Sequence, residues 1–155
     1  MTKMIENSLV EGISINVLEN RGSLRSMIQI SGPNDLTILI NSLSFFNWGV
    51  LFYIASGVCD GKGVAIDGTG FRYPTDELDP GEEPLEGVEV YNPLGEVQVS
   101  VSSFEQLMLR YFRASISGAE QYNKSMLTHA WWNEFVAITE TIGQRVPVPV
   151  RSARQ

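Results

Sequence analysis

The chain has little of what covalent stapling or side-chain catalysis needs. Its 155 residues contain one cysteine, Cys59, and one histidine, His129. One thiol cannot close an internal disulfide, and secreted chains normally pair their cysteines, so a cytoplasmic location is expected. A lone histidine has no second histidine with which to bind a metal. No Gly-x-Ser-x-Gly turn offers it a nucleophile, and no Cys-x-x-Cys or Gly-rich phosphate loop opens a helix. Long apolar runs are missing too. The longest is Gly49 to Ala55, against the ~20 residues of a bilayer-spanning helix, so membrane association is not expected. The N-terminus, Met1 to Asn7, has no basic region followed by an apolar run and does not read as a signal peptide.

What is present suits one ordinary core. Hydrophobic residues make up 43% of the chain, and the length fits a single domain. We expect that domain over residues 1–145, followed by an extended or disordered tail over 146–155 that contains Val-Pro-Val-Pro-Val.

The charge is acidic, with 18 acids against 11 bases and a formal net charge of −7. It is also unevenly placed. Asp76, Glu77, Asp79, Glu82, Glu83 and Glu86 crowd into eleven residues with no base among them, and the rest of the chain holds 12 acids against 11 bases. An acidic surface repels nucleic acid, so direct DNA or RNA binding is not expected. A concentrated patch attracts basic proteins and raises their association rate. The plainer alternative is a solvated loop between strands. A calcium site is a third reading, although the segment lacks ordered EF-hand spacing.

Hydrophobic periodicity supplies the fold class. Alternation over 8–19 predicts a strand, Asn20 to Ser23 a turn, and Leu24 to Ile30 its hairpin partner. Leu36, Leu39, Ile40, Leu43 and Phe46 are spaced for a short helix. The near-continuous apolar run Trp48 to Val58 suits a strand buried on both faces. Two Asp-Gly-x-Gly turns, at Asp60 and Asp67, bracket a short strand over 64–66. Residues 88–91 and 97–101 make a hairpin through Asn92-Pro93-Leu94-Gly95. A helix follows, with Ser102 and Glu105 as a capping box and Gly118 as a point where it kinks or ends. A last helix is expected over Thr128 to Ile142, with Gly143 as its stop. This order predicts an α+β domain. Its sheet would be mostly antiparallel with about six strands. Three helices, the two longer ones C-terminal, would pack on one face.

Candidate sites follow from these elements. The six carboxylates are candidate contacts with a basic protein. Tyr91 and Trp132 are candidate apolar anchors, because adjacent Trp131 and Trp132 lie about 100° apart on a helix and cannot both face the core. No catalytic set, metal site or cofactor is expected. A rival class is a small enzyme or ligand-binding domain with a dispersed site around Cys59, His129 and the Asp67 turn. A further rival is a structural subunit of a phage or secretion assembly.

Size, acidity and the stretch EGVEVYNPLGEVQVSVSSFEQLMLRYFRA (Glu86 to Ala114) resemble the immunity proteins of bacterial polymorphic-toxin and contact-dependent growth-inhibition pairs. That resemblance implies a cytoplasmic protein that binds a cognate toxin domain and blocks its active site or an essential surface. Many such toxins are nucleases with basic clefts, which an acidic inhibitor can occupy. No small-molecule substrate is implied.

Overall fold

The structure is a computed structural model that describes residues 4–20, 25–46 and 48–146. It is α+β. Among the described residues are a five-stranded mixed sheet, a separate two-stranded hairpin and five α-helices. The five-stranded sheet has the order β1-β7-β6-β5-β4. Its strands are β1 (Met4–Ile5), β4 (Val64–Ile66), β5 (Thr69–Arg72), β6 (Val88–Asn92) and β7 (Gly95–Val99). Neighbours pair antiparallel from β4 to β7, while β1 runs parallel to β7. The single sheet of about six strands is therefore corrected to two sheets. The hairpin of β2 (Ser14–Asn20) and β3 (Arg25–Ser31) pairs with itself alone. It lies over the long helix α4 (Val101–Tyr122) through Ile15, Ile28 and Ile30.

Side-chain alternation divides the sheet into two unlike faces. Ile5, Val99, Val88, Val90, Val97, Phe71 and Val64 point to one side and join one buried core with Phe104, Leu107, Phe112 and Phe135 of the helices. Three aromatic rings knit that layer. Phe104 lies 5.0 Å from Phe71 and 5.9 Å from Tyr73, centroid to centroid.

Local reasons explain where the elements depart from periodicity. The run expected as a buried strand is helix α3 (Leu51–Asp60). Leu51, Ile54, Ala55 and Val58 are its buried positions, a helical spacing masked by exposed Tyr53 and half-buried Phe52. Gly61 closes it at φ +66, with Lys62 N–H donating to the Gly57 carbonyl, a left-handed helix stop that glycine adopts without strain. The first Asp-Gly thus ends a helix, whereas the second makes the hairpin turn from β4 to β5, with Asp67 at φ +50 and Gly68 at φ +81. Residues 7–11 of the expected first strand are a short helix, α1 (Asn7–Glu11), because Val10 and Ile13 bury at i, i+3. The helix expected over 36–46 is α2 (Thr37–Phe45).

In α4 the cap lies two residues earlier than the box predicts. Ser100 Oγ accepts from Ser103 N–H, which frees Glu105 to turn inward. Gly118 is buried and does not break the helix. The last helix, α5, spans Trp132–Arg145, so it contains Gly143 rather than stopping at it. Lys124–Thr128 form a separate 3-10 turn. Val146, the first residue of the expected tail, is buried and its N–H donates to the Ile142 carbonyl, so it belongs to the folded part. Residues 147–155 and the expected turn at 21–24 lie outside the described residues. Among those described, no helix is long and apolar enough to cross a membrane.

Candidate functional site

The second face of the sheet is polar. Met4, Gln98, Glu89 and Arg72 lie side by side across β1, β7, β6 and β5, with Tyr91 and Glu96 in the adjoining rank. Residues 74–87, which carry all six clustered carboxylates, form a strap tied to this face.

Three tethers hold the strap. At its first end, Asp76 Oδ2 accepts from Tyr73 N–H at 2.7 Å and from Gly63 N–H at 2.9 Å. In its middle, Asp79-Pro80-Gly81-Glu82 makes a tight turn, with Pro80 second and Gly81 at φ +87 third. Glu82 Oε1 accepts there from Asp79 N–H at 2.7 Å and from Arg72 Nη1 at 3.0 Å. At its last end, Gln98 Oε1 accepts from Glu86 N–H at 2.9 Å and Gly87 N–H at 3.0 Å. Gly87 allows the approach, since a Cβ there would come within 2.3 Å of the Val99 carbonyl oxygen.

Arg72 is the electrostatic centre of this face. It binds Glu82 of the strap and, 3.0 Å away, Glu89 in the sheet. The Arg72 hydrogen bond, with that from Asp79 N–H, holds the Glu82 carboxyl below its ordinary value. Glu89 is pushed the other way, by burial first and then by a hydrogen bond with Glu96, which Arg72 only partly offsets. Burial likewise raises Tyr91.

The six predicted carboxylates therefore separate into two groups. Asp76 and Glu82 are used inside the chain. Glu77, Asp79, Glu83 and Glu86 are exposed. Tyr91 shares their side of the sheet and is half-buried over Gly70. Trp132 is corrected as an anchor. It is only 4% exposed and packs on Phe135, so it belongs to the core. Trp131 is the half-exposed partner, stacked between His129 and Phe52.

Compared with known proteins, the chain matches no family model, no curated protein and no solved structure.

The residues of the rival reading sit in three settings: His129 in an aromatic stack with Trp131 and Phe52 of α3, Cys59 near the end of α3, and Asp67 in a hairpin turn. Phe52, in the same aromatic stack as His129, precedes Cys59 by seven residues of one helix, a rise of about 10 Å. The Cys59 carbonyl accepts from Arg145 Nη1 at 2.6 Å. Asp67 sits in its hairpin turn. Among the described residues, no three His, Cys, Asp or Glu side chains gather where they could hold a metal ion.

Sequence reasoning missed Arg72, Glu89 and Gln98. Their signal was present: each occupies an outward position of a strand whose inward positions are apolar. What was lacking was the knowledge that the loop folds back over that face.

Proposed function

We propose that the chain is a cytoplasmic immunity protein that binds a cognate bacterial toxin domain, a nuclease with a basic substrate surface, and neutralises it by covering that surface. The observation that carries this reading is the division of labour in the strap. Two carboxylates hold it in place and four stand exposed. A loop ordered before binding loses less conformational freedom on binding, and a fixed cluster of one sign steers an oppositely charged surface. A nuclease offers that surface because it must bind phosphates.

The decisive experiment is co-expression with the toxin encoded beside this chain. The wild-type chain should restore growth. A variant carrying Glu77→Gln, Asp79→Asn, Glu83→Gln and Glu86→Gln should bind the toxin more weakly, associate more slowly and show a flatter salt dependence. Unchanged affinity in that variant would remove the strap as the binding surface, and failure of the soluble wild-type chain to rescue would end the immunity reading.

A further inference from the structure

We propose that Arg72 is a latch: by gripping Glu82 on the strap and Glu89 in the sheet, it holds the middle of the strap down and positions the exposed carboxylates while contacting no partner itself. The second half of this inference rests on the binding function proposed above, whereas the first half concerns the free protein.

Three observations converge on Arg72. Asp76 and Gln98 secure the two ends of the strap, and among the described residues Glu82 is the side-chain tether between them. Glu77, Asp79 and Glu83 all lie in the stretch this tether controls. The guanidinium can also satisfy two carboxylates on separate elements at once, since its planar fork offers several donors in fixed directions. Glu89 anchors it from below. That carboxyl is 6% exposed and directly opposite Arg72 in the β5–β6 register, so the fork is aimed before the strap arrives. Finally, the groups around Arg72 are otherwise acidic or neutral: Glu82 from the strap, Glu89 and Tyr91 from β6, and Glu96 of β7 beyond Glu89. Without the latch these carboxylates repel one another, and the strap is pushed off the sheet.

The latch has a signature opposite to that of simple electrostatics. Arg72→Gln makes the chain more acidic, which by net charge alone would strengthen its attraction for a polycation. A released strap would weaken it. The test uses the intact chain and two readouts: hydrogen exchange of the 77–85 amides, and binding of a hexalysine peptide.

Arg72→Gln should speed strap exchange roughly tenfold while leaving the Val90 and Val97 amides protected, a local rather than global opening. Glu82→Gln should do the same, and the double variant should do no more than Arg72→Gln alone, because both remove the Arg72–Glu82 contact. Hexalysine should bind Arg72→Gln more weakly than wild type. Unchanged strap exchange, or additive effects in the double variant, would overturn the latch. Faster exchange with tighter hexalysine binding would overturn its positioning role and leave the acidic-surface reading standing. If hexalysine fails to bind wild type, the acidic-surface reading falls, and the latch is still decided by exchange. Should Arg72→Gln not fold, Glu82→Gln carries the exchange readout, and Arg72→Lys, which keeps the charge but loses the planar fork, carries the binding one.

Discussion

Two arginines organise this chain, and they do so on opposite sides of the sheet. Arg72 joins a surface strap to the polar face. Arg145, at the end of α5, works among the helices. Its Nη1 and Nη2 donate to the Cys59 and Val58 carbonyls, and its Nη2 lies 3.0 Å from Glu105 Oε2 of α4. Tyr73 completes the group by donating from its hydroxyl to the same Glu105 oxygen at 2.7 Å. Burial and that bond both push the Tyr73 hydroxyl well above its ordinary value, which keeps it a donor. Arg145 thus places a cation on the carbonyl end of α3, where the helix dipole favours one, and locks three helices to the end of β5. The chemistry of the two hubs is alike; their surroundings are not. A guanidinium over a buried carboxylate and helix carbonyls secures the fold. Arg72 also rests on a buried carboxylate, Glu89, but its other partner is the exposed strap rather than a helix end.

The contrast is sharpest in stability. Arg145→Met should cost about 2–3 kcal/mol in urea unfolding. Breaking a buried ion pair costs about 3–5 kcal/mol, and Arg145 falls at or below the low end because its side chain is 38% exposed. A smaller loss would mean that water replaces it on α3. Asp76→Ala comes next, at about 1–2 kcal/mol, since it leaves the Tyr73 and Gly63 amides without their acceptor. The four exposed strap carboxylates, replaced together, should shift stability by no more than about 0.5 kcal/mol even as they weaken partner binding.

A pH profile separates the two glutamates that share Arg72. The depressed Glu82 carboxyl contributes stability that is present above the ordinary glutamate value and lost as pH falls through its lower folded value. Glu89 has the opposite sign. Its raised carboxyl binds a proton better in the folded state, so its contribution is full below the ordinary glutamate value and fades as pH rises through the folded one. Thermal unfolding followed from acid to neutral pH should show Glu82→Gln flattening the acid limb. Glu96→Gln should flatten the decline above it. A Glu96→Gln profile that overlays wild type would show that Glu96 does not perturb Glu89.

The smallest expected effect tests a reading of the sequence. Gly143→Ala should stabilise the protein by about 0.5 kcal/mol, because the position is helical and its new methyl crowds only the flexible end of Arg113, with Leu109 Cδ1 at an ordinary contact distance.

That glycine shows where sequence reading succeeds and where it stops. The β6–β7 hairpin, the Asp67-Gly68 turn and the long helix α4 were legible because local chemistry decides them. Helix α3 was not. Its run is apolar on nearly every side, so the spacing that distinguishes helix from strand is faint, and the deciding signal was the stop at Gly61. The cap of α4 misled for a different reason. Ser100, Ser102 and Ser103 are all plausible caps, and the choice is settled by Glu105, which is drawn into the core by Arg145 and Tyr73. The acidic segment was visible as composition, yet its shape depends on Arg72, Glu89 and Gln98, residues unremarkable in a one-dimensional reading. A loop becomes a surface only when its supports are known.

One edge of the sheet also sets an order of assembly. Strands β4 to β7 pair in succession along the chain. β1 instead closes against β7, and Arg110 of α4 reaches back to the Ile13 and Val10 carbonyls. β1 therefore meets its partner strand more than ninety residues later in the chain. Until α4 has been synthesised, residues 4–13 lack those native partners, and the search that brings them home spans most of the chain. Contacts of such separation slow folding. They also make docking of residues 4–13 depend on β7 and α4 being in place, whereas each hairpin needs only its own two strands.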